Sequence, residues 1–87
     1  MNKEQVIWVL DVIYRTVNDA HMSGKWTSPE AVLALAKRYN TAVDYALQNN
    51  WAAENSFSEK INLEEPIDIE ALGIAAMMLK AVVEKLY

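Results

Sequence analysis

The apolar positions near the end of the chain repeat at the spacing of an α-helix. Residues 67–87 read IDIEALGIAAMMLKAVVEKLY and carry only five charges. Apolar residues three and four positions apart line one side of a helix, and the stripe formed here contains Ile69, Leu72, Ala76, Leu79, Val83 and Leu86. A second stripe beside it contains Ala71, Ile74, Met78 and Ala81. We therefore predict a helix over about 68–86 whose apolar surface is wider than one face.

The same spacing predicts two earlier helices, over about 3–22 and 28–49. The core face of the first contains Val6, Val9, Leu10, Ile13, Val17 and Ala20. The core face of the second contains Val32, Leu35, Ala36, Tyr39, Val43, Ala46 and Leu47. Because the two helices are long and the segment between them is short, we expect an antiparallel helical hairpin.

Capping residues support these bounds. Asn2 and Gln5 have the spacing of a capping box, and Gly24 is suited to ending a helix in the left-handed conformation. The second helix can start in either of two ways, with Thr27 as part of a capping box or with Ser28 directly before Pro29.

Residues 51–66 are more numerous than an ordinary connection between helices requires. The run Ser56-Phe57-Ser58-Glu59 is another capping-box pattern, so a short helix is predicted near 57–62. The expected fold class is all-α, a small bundle of three long helices with this short fourth one. We expect residues 1–87 to form a single helical domain.

Composition agrees with a small globular protein. The chain has 87 residues, of which 53% are hydrophobic, enough for one modest core. It has no cysteine, which excludes disulfides and thiolate chemistry. No apolar run is long enough for a membrane span, and the first residues do not resemble a signal peptide. We therefore expect a complete cytoplasmic protein without membrane attachment.

The negative charge is concentrated in one segment. The formal net charge is −4, and residues 54–70 contain six carboxylates against the single cation Lys60. No basic patch is evident, so nucleic acid is disfavoured as a partner. An acidic segment suits a protein partner with a basic surface, with Glu64 and Glu65 as candidate contacts, although a solvated surface is the more usual reason for such a run.

Candidate catalytic and metal-binding residues are few. A serine–histidine–acid arrangement would have to use His21, yet the sequence shows no nucleophile elbow and no glycine-built oxyanion site. The acidic run around Pro66 lacks the alternating ligands and glycine of a calcium loop. We therefore expect His21 to be structural or exposed, and we predict that the protein is not an enzyme and has no catalytic residue, cofactor or metal.

Two apolar features each have two interpretations. Trp8 lies near a polar stripe that includes Asp11 and Arg15, so it is a candidate binding hot spot; packing against its own chain is the interpretation we prefer. Met77 and Met78 can form an adaptable binding surface, but methionines at helical spacing more often belong to a core.

The last predicted helix contains one glycine, Gly73. Gly73 falls on the narrow polar strip of the last helix with Lys80 and Glu84. A glycine there lowers helix propensity by about 1 kcal/mol relative to alanine.

Residues 33–47, LALAKRYNTAVDYAL, resemble the closing part of phage-repressor-type helix-turn-helix domains. The similar run covers about 15 residues and does not include the recognition helix of that family, so it assigns no DNA-contacting residue. Together with Lys37 and Arg38, the resemblance gives an alternative function, a DNA-binding regulator. It also leaves open a break of the second helix near Asn40 and Thr41, which compete for backbone hydrogen bonds.

The preferred interpretation is a protein–protein interaction module. Three helices of this length cover only part of the last helix, so its second stripe is left for residues 51–66, for a second copy or for another protein. A homodimer joined through the last helices is our first choice. By analogy of size and charge with small phage and bacterial proteins, the expected role is an inhibitor, an immunity-type protein or an assembly accessory. The candidate contacts are Ala71, Ile74, Met78, Ala81, Glu64, Glu65 and Trp8.

Overall fold

The computed structural model describes residues 1–25, 28–57 and 59–85 of the chain. Three α-helices make up most of it: α1 is Lys3–Ser23, α2 is Pro29–Gln48 and α3 is Ile69–Lys85. A single 3₁₀ turn, Glu54–Ser56, lies between α2 and α3. The predicted small all-α bundle is confirmed, and the long helices begin and end within one residue of the predicted bounds, with position 86 outside the described residues.

The first helix has the predicted caps at both ends. The side chain of Asn2 accepts a hydrogen bond from the Gln5 backbone N–H, and the Gln5 side chain accepts one from the Asn2 N–H, each at 2.8 Å. These two bonds satisfy backbone donors that have no partner within the helix. At the other end, Gly24 has φ 69°, a conformation that glycine adopts without a steric cost.

The other two long helices also begin at side-chain caps. Ser28 Oγ accepts a hydrogen bond from the Ala31 N–H at 3.3 Å, with Pro29 in the first helical position. The alternative cap, Thr27, lies outside the described residues. Asp68 Oδ1 accepts from the N–H groups of Glu70 and Ala71, and this carboxylate also favours the positive end of the α3 dipole.

All three helices contribute to one hydrophobic core. Its largest fully buried side chains are Tyr39, Leu10, Ile13, Leu72, Leu79, Val6, Val43 and Val83. Burial raises the pKa of Tyr39 to about 12, because the charged phenolate is disfavoured away from water. Among the residues predicted to be core, Val9, Val32, Leu47 and Ile69 are only partly buried, whereas Ala42 and Ala75, which the pattern did not assign, are buried.

The last helix runs antiparallel to α1. Contacts join His21 to Glu70 near one end of the pair and Asp11 to Lys80 near the other. Most of the helix–helix contact of α3 is with α1 rather than with α2. Since α1 and α2 form the predicted hairpin, α3 lies parallel to α2, and the connecting segment must return along the length of α2.

Gly73 lies with Lys80 and Glu84 on one strip of α3, as predicted, and this strip faces α1. Gly73 is buried, and a Cβ atom added to it would lie 2.8 Å from Cγ1 of Val17. Lys80 also turns toward α1, where its Nζ donates to Asp11 Oδ1 at 3.0 Å. The strip pairs with α1 because Gly73 lets the two helices approach closely and Asp11 offers a carboxylate opposite Lys80.

A segment without helix or strand, residues 59–68, follows α2 back toward its beginning; we call it the strap. Asn40 holds the strap with two hydrogen bonds, one from its Nδ2 to the Ile61 carbonyl at 3.0 Å and one from the Ile61 N–H to its Oδ1 at 2.7 Å. Lys60 forms an ion pair with Asp44 one turn further along. Helix α2 itself is continuous through Asn40, so the break considered there does not occur.

The short helix expected near 57–62 is absent from its described residues, which are 57 and 59–62. The 3₁₀ turn forms just before them, where Ser56 Oγ donates to the Ala53 carbonyl at 2.6 Å. That hydroxyl is therefore not used to cap a helix beginning at Phe57. Further along, the backbone N–H and carbonyl of Ile61 are bonded to the Asn40 side chain instead of taking part in a helix.

Candidate interaction surface

The side of α3 that points away from the core carries a continuous run of exposed apolar side chains. Ile74, Met77 and Met78 are 56%, 45% and 42% exposed, and an exposed alanine lies at each end of the run. We call this surface the α3 face. It consists of Ala71, Ile74, Met77, Met78 and Ala81 and extends about 15 Å along the helix.

Helical geometry explains why this face carries no charge. The residues that alternate with it, including Leu72, Leu79 and Val83, point into the core and are fully buried. The charged side chains of α3 adjoin the face at its two ends and along one edge: Glu70 is in the first turn and Lys85 in the last. Lys80 and Glu84 lie on the edge of α3 that adjoins α1, with Lys80 Nζ 3.7 Å from Glu84 Oε1.

The sequence placed four residues of this face correctly on one stripe, namely Ala71, Ile74, Met78 and Ala81. The preferred assignment of Met77 and Met78 to the core is wrong, since both are exposed. The helix is rotated so that Gly73 and Ala75 take up core positions instead. The spacing of Met77, three residues after Ile74 and four before Ala81, is the signal that could have placed it on this face.

An aromatic side chain of α1 borders the α3 face. The Tyr14 side chain is 36% exposed, and together with Ile74 it lines a shallow groove above Gly73. His21 lies at the end of this groove, with Nδ1 3.7 Å from Glu70 Oε1, and both side chains are exposed. The groove therefore extends the apolar surface of α3 onto the adjacent helix.

A second exposed apolar site lies between α1 and α2. Trp8 is 66% exposed, so the expectation that it packs against its own chain is wrong. It lines a groove of about 370 Å³ together with Met1, Val9, Val12, Lys37, Arg38 and Thr41. Neither Lys37 nor Arg38 has an ion pair with any residue that the structure describes. An aromatic side chain thus lies beside two cations available to a partner.

The predicted acidic contacts lie on the strap. Glu64 and Glu65 are exposed, and within residues 1–25, 28–57 and 59–85 neither forms an ion pair. Beneath them, a groove of about 460 Å³ between the strap and the starts of α2 and α3 is lined mainly by apolar residues. The structure does not bring these carboxylates together with Trp8 or with the α3 face into one site.

The described part of the chain contains no cluster of three side chains able to hold a metal ion. His21 is exposed, and Glu70 is the acidic side chain with which it pairs. In the same residues, no helix is both long and apolar enough to cross a membrane. A contiguous exposed apolar surface, such as the α3 face, favours contact with another macromolecule.

Comparison of the chain with models of known protein families, with curated proteins and with solved structures finds no significant match.

Proposed function

We propose that this protein is a small, non-enzymatic interaction module that self-associates through the α3 face. The observation that carries the proposal is the continuous exposure of five uncharged residues across three turns of one helix. Scattered exposed apolar residues are normal on a protein surface, whereas a contiguous patch is typical of a contact site. Two adjacent methionines at its centre allow such a surface to adapt to its partner.

The size of the face indicates a weak dimer. Fully burying an isoleucine or methionine is worth roughly 1.5–3 kcal/mol, and the three large side chains here are about half exposed, so each gains about 1 kcal/mol. Two copies together gain about 6 kcal/mol, which exceeds only the lowest estimates of the cost of association, so the dimer should be weak. We expect the degree of association to rise with concentration between about 10 μM and 1 mM, and we expect no permanent dimer.

Sedimentation equilibrium over this concentration range tests the proposal. The apparent mass should rise above the 9.9 kDa of the monomer as concentration increases. Met78→Glu should remain monomeric with an unchanged circular dichroism spectrum, because it places a charge in the middle of the face. Met22→Glu is the matched control, since Met22 is 77% exposed and lies outside the face. A wild-type protein that stays at 9.9 kDa throughout would overturn the proposal.

A heterologous protein with a basic surface is the second partner that we propose, in the role of a target held by an inhibitor, immunity-type protein or assembly accessory. The support for it is the exposure of Glu64 and Glu65 on the strap, where neither carboxylate forms an ion pair with any described residue. The test is capture of a stoichiometric basic protein from cytosol of the source cell. Capture should be lost with the double variant Glu64→Lys, Glu65→Lys and retained with Met78→Glu; equal capture by both variants would exclude the acidic segment as the contact.

A DNA-binding regulator is the alternative function, and one observation favours it. Trp8 lies beside Lys37 and Arg38, and an aromatic ring next to cations is a combination that binds nucleic acids by stacking and charge. The net charge of −4 opposes this function. A gel shift with DNA at low salt tests this alternative. A shift that is lost when Lys37 and Arg38 are changed to glutamine supports DNA binding. The absence of a shift at any salt concentration excludes DNA binding as the function.

A further inference from the structure

The α3 face has a charge of opposite sign at each end. Glu70 lies in the first turn and Lys85 in the last, and both are exposed. They are 15 positions apart, or about 22 Å along the helix, and 15 residues at 100° each leave the two side chains within about 60° of each other around its axis. Lys85 has no ion pair among the described residues, and Glu70 pairs only with the exposed His21 at 3.7 Å.

We infer that two copies of the chain pair through their α3 faces in antiparallel orientation, with Glu70 of each copy opposite Lys85 of the other. This inference rests on the proposed self-association and adds to it the orientation and the residues that select it. The two-fold axis passes between Met77 and Met78, halfway along the helix. The contact is therefore isologous, with each surface meeting its own copy.

Charge decides between the two possible orientations. A parallel pair would place Glu70 beside Glu70 and Lys85 beside Lys85, so like charges would meet at both ends of the interface. The antiparallel pair replaces both repulsions with attractions, and it also sets the two helix dipoles in opposite directions.

The sizes of the apolar residues agree with the antiparallel pair. The same two-fold axis places Ile74 of one copy opposite Ala81 of the other, so that a large side chain meets a small one. Met77 of one copy lies opposite Met78 of the other, where flexible side chains can fill the remaining space. In a parallel pair the two Ile74 side chains would face each other, as would the two small Ala71 side chains.

Charge reversal tests the orientation. Glu70→Lys and Lys85→Glu should each weaken self-association at least about fivefold at low ionic strength, because each converts both end contacts into repulsions. An equimolar mixture of the two variants should associate at least as well as the wild type, since a mixed dimer regains both attractions. The double variant Glu70→Lys, Lys85→Glu should likewise recover. Sedimentation equilibrium of the separate and mixed proteins measures these effects.

If Glu70 and Lys85 affected only folding stability, association would be lost in the single variants but would not recover in the double variant. Both changes put the wrong charge at a helix end, so each lowers folding stability and the double variant is the least stable of the three in thermal unfolding. Recovery of association in that variant can therefore come only from the interface. Asp19→Lys is the control for the change in net charge, because Asp19 is exposed on α1 and does not line the groove beside the α3 face, and it should associate as the wild type does.

Three outcomes would count against the inference in different ways. If a mixture of Glu70→Lys with the wild type associates more strongly than either protein alone, the pairing is parallel. If the charge variants associate as the wild type does while Met78→Glu remains monomeric, Glu70 and Lys85 do not set the orientation, although the proposed self-association stands. If the wild type itself does not associate, the proposed function fails together with this inference.

Discussion

The side-chain amide of Asn40 forms two hydrogen bonds with the backbone of Ile61, 21 residues further along the chain. The amide acts here as a peptide group of a neighbouring strand would, donating to one backbone group and accepting from the other. These bonds satisfy part-buried backbone groups that have no helix or sheet to pair with. Asn40 is thus the main polar attachment of the strap to α2.

Replacing Asn40 should loosen the strap. Asn40→Ala leaves the N–H and carbonyl of Ile61 without their partners and should destabilise the fold by about 1–3 kcal/mol. Urea unfolding measures the loss, and hydrogen exchange at the Ile61 amide should become much faster. Thr41→Ala is the neighbouring control, since the Thr41 hydroxyl bonds only within α2, and it should change stability by less than about 0.5 kcal/mol. Equal effects of the two changes would contradict this role of Asn40.

A methyl group at position 73 should be destabilising because of Val17. Gly73→Ala gains about 1 kcal/mol of helix propensity, but its Cβ would lie 2.8 Å from Val17 Cγ1 and 3.1 Å from Val17 Cβ. A β-branched side chain cannot rotate away easily, and overpacking costs about 1–3 kcal/mol. Thermal unfolding should therefore show a net loss of stability.

The effect of that substitution should become smaller when Val17 is shortened. In a Val17→Ala background the 2.8 Å contact with Cγ1 is removed and only the 3.1 Å contact with Cβ remains, so Gly73→Ala should then be less destabilising. The double-mutant cycle compares the two backgrounds directly. Destabilisation of the same size in both would show that Val17 does not require the glycine.

The ion pair between Asp11 and Lys80 should contribute modestly to stability. The hydrogen bond to Asp11 raises the pKa of Lys80 above its usual value, and the two side chains are 24% and 31% exposed. A cycle of Asp11→Asn and Lys80→Gln should give a coupling energy of about 0.5–1 kcal/mol that falls with added salt. The pair Arg15–Asp11 is the comparison, because Arg15 is 76% exposed, and its coupling should be smaller.

Tyr39 should make the fold less stable at alkaline pH. Its pKa is about 12 in the folded protein against an ordinary value of 10.0, so the unfolded chain loses this proton first. The contribution is complete below pH 10 and is lost as pH rises through 12, a decrease of roughly 2–3 kcal/mol in the free energy of unfolding. Tyr39→Phe should remove this part of the pH dependence, and identical alkaline profiles for both proteins would contradict the assignment.

The helices could be predicted from sequence because their signals are local. The spacing of Leu72, Leu79 and Val83 and the caps at Asn2 and Ser28 depend only on neighbouring residues. The path of the strap could not be predicted in this way, because the backbone of Ile61 is held by Asn40, which is distant in sequence. The burial of Gly73 could not be predicted from neighbouring residues either, because it depends on the packing of α3 against Val17 of α1.

The candidate surface was predicted in outline for a similar reason. The apolar stripe of Ile74 and Met78 follows from helical spacing, and its exposure follows from there being too few helices to cover it. The rotation of α3 determines whether Met77 is exposed or buried, and it depends on how Ala75 and Gly73 pack against other helices. The exposure of Trp8 depends in the same way on the relative positions of α1 and α2.

The antiparallel pairing of α1 with α3 also sets an order of folding. Asp11 and Lys80 are 69 residues apart in sequence, whereas only residues 24–28 separate α1 from α2. Closing a long loop costs entropy before its contacts form, so we expect the α1–α2 hairpin to form first and α3 to dock last. A circular permutant that links the two chain ends and opens the chain within the strap would make the α1–α3 contact local, and it should fold faster than the natural order of segments.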